Sequence, residues 1–354
     1  MSPTIKNSVD VDRISNLPDD LLCHILSFLP TKLSLTTTVL SKRWTPLCKL
    51  VTSLHFEEES VHDVKVFHGF CRFVDAVMLS TQLVKTIYIM CKFRTMPLPL
   101  SIFSFRTLVV LKLKRIKVVA DISVDLPSVK TLYLIHIYFK NKDNLNKLLN
   151  GCPILENLQT HIYYIEQDLG HVRLKTLSNL ITADIVAFDV PFRTIFNVQI
   201  LKLQMKSRLS EVDSYCKDFP VFRNLINLSL YFCYFRHWDD VAEVFQYCPK
   251  LQILDIFKLA IDQHFPINWK YPNSVPECIS SHLRSCTINY EGWNDELQFT
   301  KYILQNAQLL EVMKVYTGQF AYPNPLYPGP NRRPLEELTL CPILSPKCKL
   351  LIDS

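Results

Sequence analysis

The chain has 354 residues, of which 48% are hydrophobic and 20% charged, with a formal net charge of +6. That length exceeds one ordinary core unless the core is elongated, and no apolar run reaches the roughly 18 residues of a membrane-spanning helix. Lys and Arg are scattered, and the densest basic stretch, "LKLKRIKVV" at 111–119, alternates with apolar residues as a solvated strand does, so neither nucleic acid nor membrane is expected as a partner.

In chain order, "MSPTIKNSVDVDRI" carries no apolar signal-peptide core, so cytoplasmic and/or nuclear residence is expected. Residues 1–10 read as a flexible tail. Three short helices follow. Pro18 suits a first helical turn, and Asp19 and Asp20 complement the helix dipole there. Leu21, Leu22, Ile25, Leu26 and Leu29 recur at helical spacing, and Pro30 stops the helix. Thr31 can cap a second helix carrying Leu33, Leu35, Val39 and Leu40, and Ser41 a third carrying Trp44. Three such helices hold more apolar residues than they can hide among themselves.

The stretch "DRISNLPDDLLCHILSFLPTKLSLTTTVLSKRW" (12–44) resembles the F-box. The resemblance rests on Leu17-Pro18 followed by acids, on the Ile25–Pro30 run and on Val39–Trp44. It implies that the surplus apolar residues pack against a Skp-type adaptor of a cullin–RING ubiquitin ligase. By the family pattern Leu17 and Pro18 open that contact. Leu21, Ile25, Leu26 and Leu29 line it, and Pro30, Val39, Leu40 and Trp44 complete the surface and its support. Leu22, Phe28 and Leu33 are expected inside the helical core. The middle, "KLSLTTTVL", departs from the usual pattern, and Cys48 stands where an aromatic is common.

From residue 51 onward a unit apolar-x-x-apolar-x-apolar recurs. Copies stand at Val51/Leu54/Phe56, Val84/Ile87/Ile89, Leu108/Leu111/Leu113 and Val129/Leu132/Leu134. Others follow at Val198/Leu201/Leu203, Leu225/Leu228/Leu230, Leu251/Leu254/Ile256, Leu283/Cys286/Ile288, Leu310/Met313/Val315 and Leu335/Leu338/Leu340. Leu155/Leu158 and Leu174/Leu177 are weaker copies. The last two apolar positions are two residues apart and share one strand face. One such strand cannot shield that face alone, but many stacked strands can, as a solenoid. "NLNKLLNGCPILENL" and "DDVAEVFQYCPKLQIL" supply an amphipathic run, then Cys-Pro, then a strand. The pattern resembles irregular leucine-rich repeats, which implies parallel strands on a concave face.

Positions between and just after the buried pair point away from the core: Thr86, Tyr88, Met90; Val110, Lys112, Lys114; Thr131, Tyr133, Ile135; Ile200, Lys202, Gln204; Asn227, Ser229, Tyr231; and Ile253, Asp255, Phe257. This row mixes Lys with aromatics, which suits a protein or peptide target. Tyr88, Lys112, Lys114, Tyr133, Lys202, Tyr231 and Phe257 are its candidate contacts.

Residues 276–316 read as strand, helix, strand. Asn294 can cap the helix, with Asp295 and Glu296 in its first turn. Leu297, Tyr302, Ile303, Leu304, Ala307 and Leu310 supply its apolar side. This stretch, with the closing Ser345-Pro346-Lys347-Cys348-Lys349-Leu350, resembles the FBD module, which implies a cap on the last repeat. The Pro-rich segment between them is expected as a mobile loop. The expected organisation is an α/β chain with an F-box at 11–57, repeats at 58–274 and an FBD module at 275–354 containing a loop at 317–334.

Chemistry of its own is not expected. Six glycines stand where average usage gives roughly 25. There is no GxGxxG, P-loop, CxxC, HExxH or GxSxG, so no catalytic, metal or cofactor site is read. Twelve cysteines spread over the whole length read as reduced, mostly buried thiols. The resemblances imply a non-enzymatic adaptor that docks on the ligase and holds a protein target. A small-molecule receptor, or a repeat scaffold without ligase function, stands as the alternative.

Overall fold

The computed structural model describes residues 13–14, 16–58, 64–81, 83–91, 96–166, 171–187, 189–205, 219–232, 238–258, 269, 271–290, 294–317 and 336–353. The expected tail at 1–10 and nearly all of the Pro-rich loop lie outside them. The chain divides into two compact units: Met1–Val129 with Ile137–Cys152 and Tyr164–Leu169, and Lys130–His136 with Pro153–Tyr163 and Gly170–Ser354. Among the described residues no helix is long and apolar enough to cross a membrane.

In the first unit α1 (Asp19–Ser27), α2 (Thr31–Thr36), a 3-10 turn at Thr37–Val39 and α3 (Trp44–Leu50) lead into β1 (Ser53–Glu58). Helix α4 (Val64–Ser80), β2 (Thr86–Cys91), the short β3 (Met96–Pro97) and a 3-10 turn at Leu100–Ser104 come next. They are followed by β4 (Val110–Lys114) and β5 (Ile116–Val118), then the far half of β6 (Thr131–Phe139) and α5 (Lys142–Asn150). Strands β1, β2 and β4 are parallel and in register, so that Leu54, Ile87 and Leu111 form one row and Phe56, Ile89 and Leu113 the next. All six are buried. Phe70 and Phe73 of α4 meet Phe56 edge-on, with ring centres at 6.4 and 5.9 Å, and cover that row. Gly151 ends α5 where an added Cβ would lie 2.4 Å from Val124 Cγ1, so close approach requires a glycine there.

The helices have their own core of Leu22, Leu26, Trp44, Leu47, Cys48 and Val51. Two expected caps are not formed. Pro30 and Arg43 occupy the N-cap positions of α2 and α3, without a side-chain bond. Thr31 Oγ1 instead accepts the backbone N–H of His55 at 2.7 Å, which pins the start of α2 to β1.

In the second unit the strands are β7 (Asn157–Tyr164), β8 (Thr182–Val186), β9 (Ile200–Met205) and β10 (Asn227–Phe232). After α6 (Trp238–Gln246) come β11 (Ile253–Lys258), α7 (Glu277–Ser281), β12 (Ser285–Asn289), α8 (Asn294–Asn306) and β13 (Val312–Tyr316). Helix α9 (Glu336–Thr339) and β14 (Lys349–Asp353) close the chain. Each strand from β7 to β14 is parallel to the next. One rung recurs at the strand entries: two successive N–H groups share one carbonyl of the preceding copy. Ile181 and Thr182 bond Glu156 O, Gln199 and Ile200 bond Ile181 O, and Ile226 and Asn227 bond Gln199 O. Asparagines just before the first apolar position add a second ladder, with Asn197 Nδ2 donating to Ser178 O at 3.0 Å and Asn224 Nδ2 to Asn197 Oδ1 at 2.7 Å.

Two repeat copies need correction. Leu174 and Leu177 precede the strand rather than form it. The strand unit is Leu180/Ala183/Ile185, hidden because its middle residue is alanine. Of Leu335/Leu338/Leu340, Leu335 lies outside the described residues, Leu338 is buried on the short helix α9 and Leu340 is exposed, and the last strand among the described residues is β14. Asn294 is the first helical residue of α8, and its Oδ1 is buried with no partner among the described residues.

The described cysteines are free thiols. Burial pushes Cys152 and Cys278 up to about 12 and raises Cys248 and Cys286 further, so all four stay protonated and serve as small apolar fillers.

Candidate docking surfaces

Helix α1 carries two apolar stripes. Leu22 and Leu26, four residues apart, face the helical core, and Leu26 is 1% exposed. Leu21, Ile25 and Phe28, at the same helical spacing, form a second stripe that faces water, with Phe28 70% exposed. Val39 and Leu40, in the turn before α3, are 85% and 67% exposed. Pro18 and Pro30 are exposed, and Leu17 and Leu29 are half-buried against the core. Arg43 ties the two ends of this segment together. Its guanidinium donates to Asp19 Oδ1 at 2.6 and 2.9 Å and to Leu17 O at 2.6 Å. Both charged side chains are substantially exposed, so the pair fixes geometry more than it adds stability.

The expected assignment of this surface changes at four residues. Leu26 and Trp44 are internal, the latter 7% exposed, and support the surface without forming it. Phe28 and Leu33, expected inside, are exposed. Helical periodicity marks both stripes of α1 as apolar but does not say which one the neighbouring helices cover.

A cavity of about 110 Å³ lies beneath the helices, lined by Leu26, Leu29, Leu35, Cys48, Val51, Leu54, Val77 and Thr81 among others. The Cys48 thiol donates to Ser34 O at 3.3 Å and leaves this space open. Cys48→Phe is expected to fill it and raise the melting temperature by about 2–4 °C in a thermal scan. A drop would mean that the cavity walls cannot accept a ring.

The outward strand rows are the second surface. In the first unit His55, Tyr88 and Lys112 are in register, as are Glu57, Met90 and Lys114. Tyr88 donates its hydroxyl to Met90 Sδ at 3.1 Å and lies edge-on to His55. Burial lowers the His55 pKa, with Glu57 opposing and Lys112 assisting. In the second unit one row reads Gln159, Asp184, Lys202, Ser229, Asp255, Thr287, Lys314. The next pairs Gln204, Tyr231 and Phe257. Lys202 is exposed, and Tyr133, Tyr231 and Phe257 are half-buried. Ser229, expected to point outward, is buried and donates to Asp255 Oδ2 at 3.0 Å.

Sequence reading missed a cluster on β6 and β7. His136 has φ 54, so the strand bulges there. Its ring lies 4.3 Å from His161, whose Nε2 is 3.0 Å from the Tyr163 hydroxyl. A positive φ on a non-glycine has no periodic signature. Among the described residues no group of three or more His, Cys, Asp or Glu could hold a metal ion.

Asp184 is half-buried. Burial raises its pKa, against the pull of Lys202 and of hydrogen bonds from Gln159, at 3.0 Å, and Gln204. The folded chain therefore binds this proton more tightly than the unfolded one, and stability falls as pH rises through the carboxylate range toward the raised value. Asp184→Asn is expected to flatten the melting-temperature profile from about pH 4 upward. A variant profile displaced equally at every pH would contradict this.

Comparison with known proteins bears on both surfaces. The F-box domain family matches residues 14–55, and the FBD family matches 270–315. The LRR repeats of the FBD-associated F-box protein At5g56370 match residues 79–190. The putative FBD-associated F-box protein At3g50710 of Arabidopsis thaliana is 28% identical over 433 aligned residues, covering 97% of this chain and 100% of the relative. The F-box/FBD/LRR-repeat protein At4g26340 of the same plant is 29% identical with the same coverage. With helical segment, parallel repeats and closing module each matched in order, the chain belongs to the F-box/FBD/LRR-repeat protein family.

Proposed function

We propose that this chain is the non-catalytic, substrate-recognition subunit of a Skp–cullin–F-box ubiquitin ligase, acting in the cytoplasm and/or nucleus. Residues 11–57 dock on a Skp-type adaptor, the repeats at 58–274 hold a protein target, and the FBD module at 275–354 closes the repeat stack. One observation supports the docking half above all others. The helical segment completes its own core with Leu22, Leu26 and Trp44, yet leaves Leu21, Ile25, Phe28, Val39 and Leu40 in water. Exposed apolar residues grouped on one short segment are the usual mark of an interface. A stable contact buries about 1,600 Å² in total, most of which a helical segment of this size can supply. The target half rests on the outward strand rows, where Tyr88, Lys112, Lys114, Tyr133, Lys202, Tyr231 and Phe257 are the candidate contacts. Ubiquitin transfer would then follow from proximity, with the chemistry on other chains.

The test is co-elution of the purified full chain with a Skp-type adaptor in size-exclusion chromatography, followed by proximity labelling in cells with the cullin inhibited. A single complex peak and accumulation of labelled targets are expected. Separate elution at micromolar concentrations would overturn the docking assignment.

A further inference from the structure

We infer that Asp255 and the Tyr231–Phe257 ring pair form an anchor for a basic side chain, Arg or Lys, of the bound protein target. The inference rests on the reading of the outward strand face as the target surface. Strand register places the three groups together. Asp255 and Phe257 are two residues apart on β11 and so share a face, with Cα atoms about 6.6 Å apart. Tyr231 is the in-register neighbour of Phe257 on β10. The two rings lie 5.0 Å apart at 18°, a stacked plate beside the carboxylate.

Charge along the row points to a cation. Asp184 and Lys202 are direct neighbours on β8 and β9, so each already faces an opposite charge. The in-register neighbours of Asp255 are hydroxyls, Ser229 on β10 and Thr287 on β12. Ser229 holds Oδ2 at 3.0 Å, and among the described residues no cation forms an ion pair with Asp255. A half-buried carboxylate fixed by one hydroxyl and bordered by aromatic faces suits a guanidinium, which stacks on the rings while its N–H groups meet the oxygen. An ammonium fits less completely, through charge and cation–π attraction alone. An acidic target would have to use Lys202, whose charge Asp184 already opposes, or Lys314, which lies two strands away from Asp255.

The full chain, immobilised, is panned with a random twelve-residue peptide phage library. Clones carrying a fixed Arg or Lys are expected. A synthetic copy of a selected peptide should bind Asp255→Asn at least about tenfold more weakly, and its Arg→citrulline form should bind wild type as weakly. Unchanged melting temperature in Asp255→Asn excludes misfolding as the cause. Selected peptides that lose binding with Phe257→Ala but carry no basic residue, or that ignore Asp255→Asn, overturn the anchor and leave the face as a target surface. Absence of any clone sensitive to Phe257→Ala overturns the face and the anchor together.

Discussion

Val39→Asp combined with Leu40→Asp is expected to leave the melting temperature within about 2 °C of wild type and to weaken retention on a Skp-type adaptor by about 100-fold or more. Both side chains stand largely in water. Substitutions at such places usually change stability by no more than about 0.5 kcal/mol each. Buried against a partner, the same two carboxylates would lose solvation without gaining a counter-charge, at several kcal/mol. Leu26→Asp supplies the contrast. That side chain is enclosed by Leu22, Trp44 and Leu47, so a charge there melts the helical segment and abolishes docking only indirectly. Pull-down and thermal scans on the same preparations separate the two. Full adaptor retention by the folded double variant would show that the surface around Val39 and Leu40 is not the docking face.

Much of the architecture was legible because strand side chains alternate with period two. An apolar-x-x-apolar-x-apolar unit at nine places from Val51 to Val315 marks a buried row in the structure, from Leu54/Phe56 to Met313/Val315. The same pattern misled at Leu338 and Leu340, where the chain forms a short helix and only Leu338 is buried. It missed β8, where the buried middle position is Ala183. On α1 the periodicity identified the apolar residues but not their sides: Leu22/Leu26 and Leu21/Ile25/Phe28 are both apolar, and only the positions of α2 and α3 decide which stripe is covered. Of the outward strand face the sequence supplied the row of side chains. It did not supply which charges would already be matched across neighbouring strands, since Asp184 was not among the residues read as outward and β8 itself was misplaced.

The same alternation carried a signal that went unread at Lys258. It follows Leu254 and Ile256 by two-residue steps, so β11 turns it toward the core, where it is 2% exposed. Its ammonium pairs with Glu296 of α8, which is fully buried, and lies 5.6 Å over the Trp238 ring. Trp238 in turn donates Nε1–H to Asp295 Oδ2 at 3.0 Å and stacks on Phe299 at 4.1 Å. The two acids read as a complement to the helix dipole therefore also join α8 to α6 and β11 inside the second unit. Lys258→Met should cost about 3–5 kcal/mol, because it strands a carboxylate without its counter-ion in the core. Glu296→Leu should cost a similar amount by stranding the ammonium. Lys258→Met with Glu296→Leu should recover most of the loss, since an apolar pair of similar volume often matches a buried ion pair. Denaturant unfolding of the four proteins gives the coupling between the sites directly. If the double variant were as unstable as the sum of the singles, the two charges would act independently, and the pairing between β11 and α8 would not be what holds the closing helix in place.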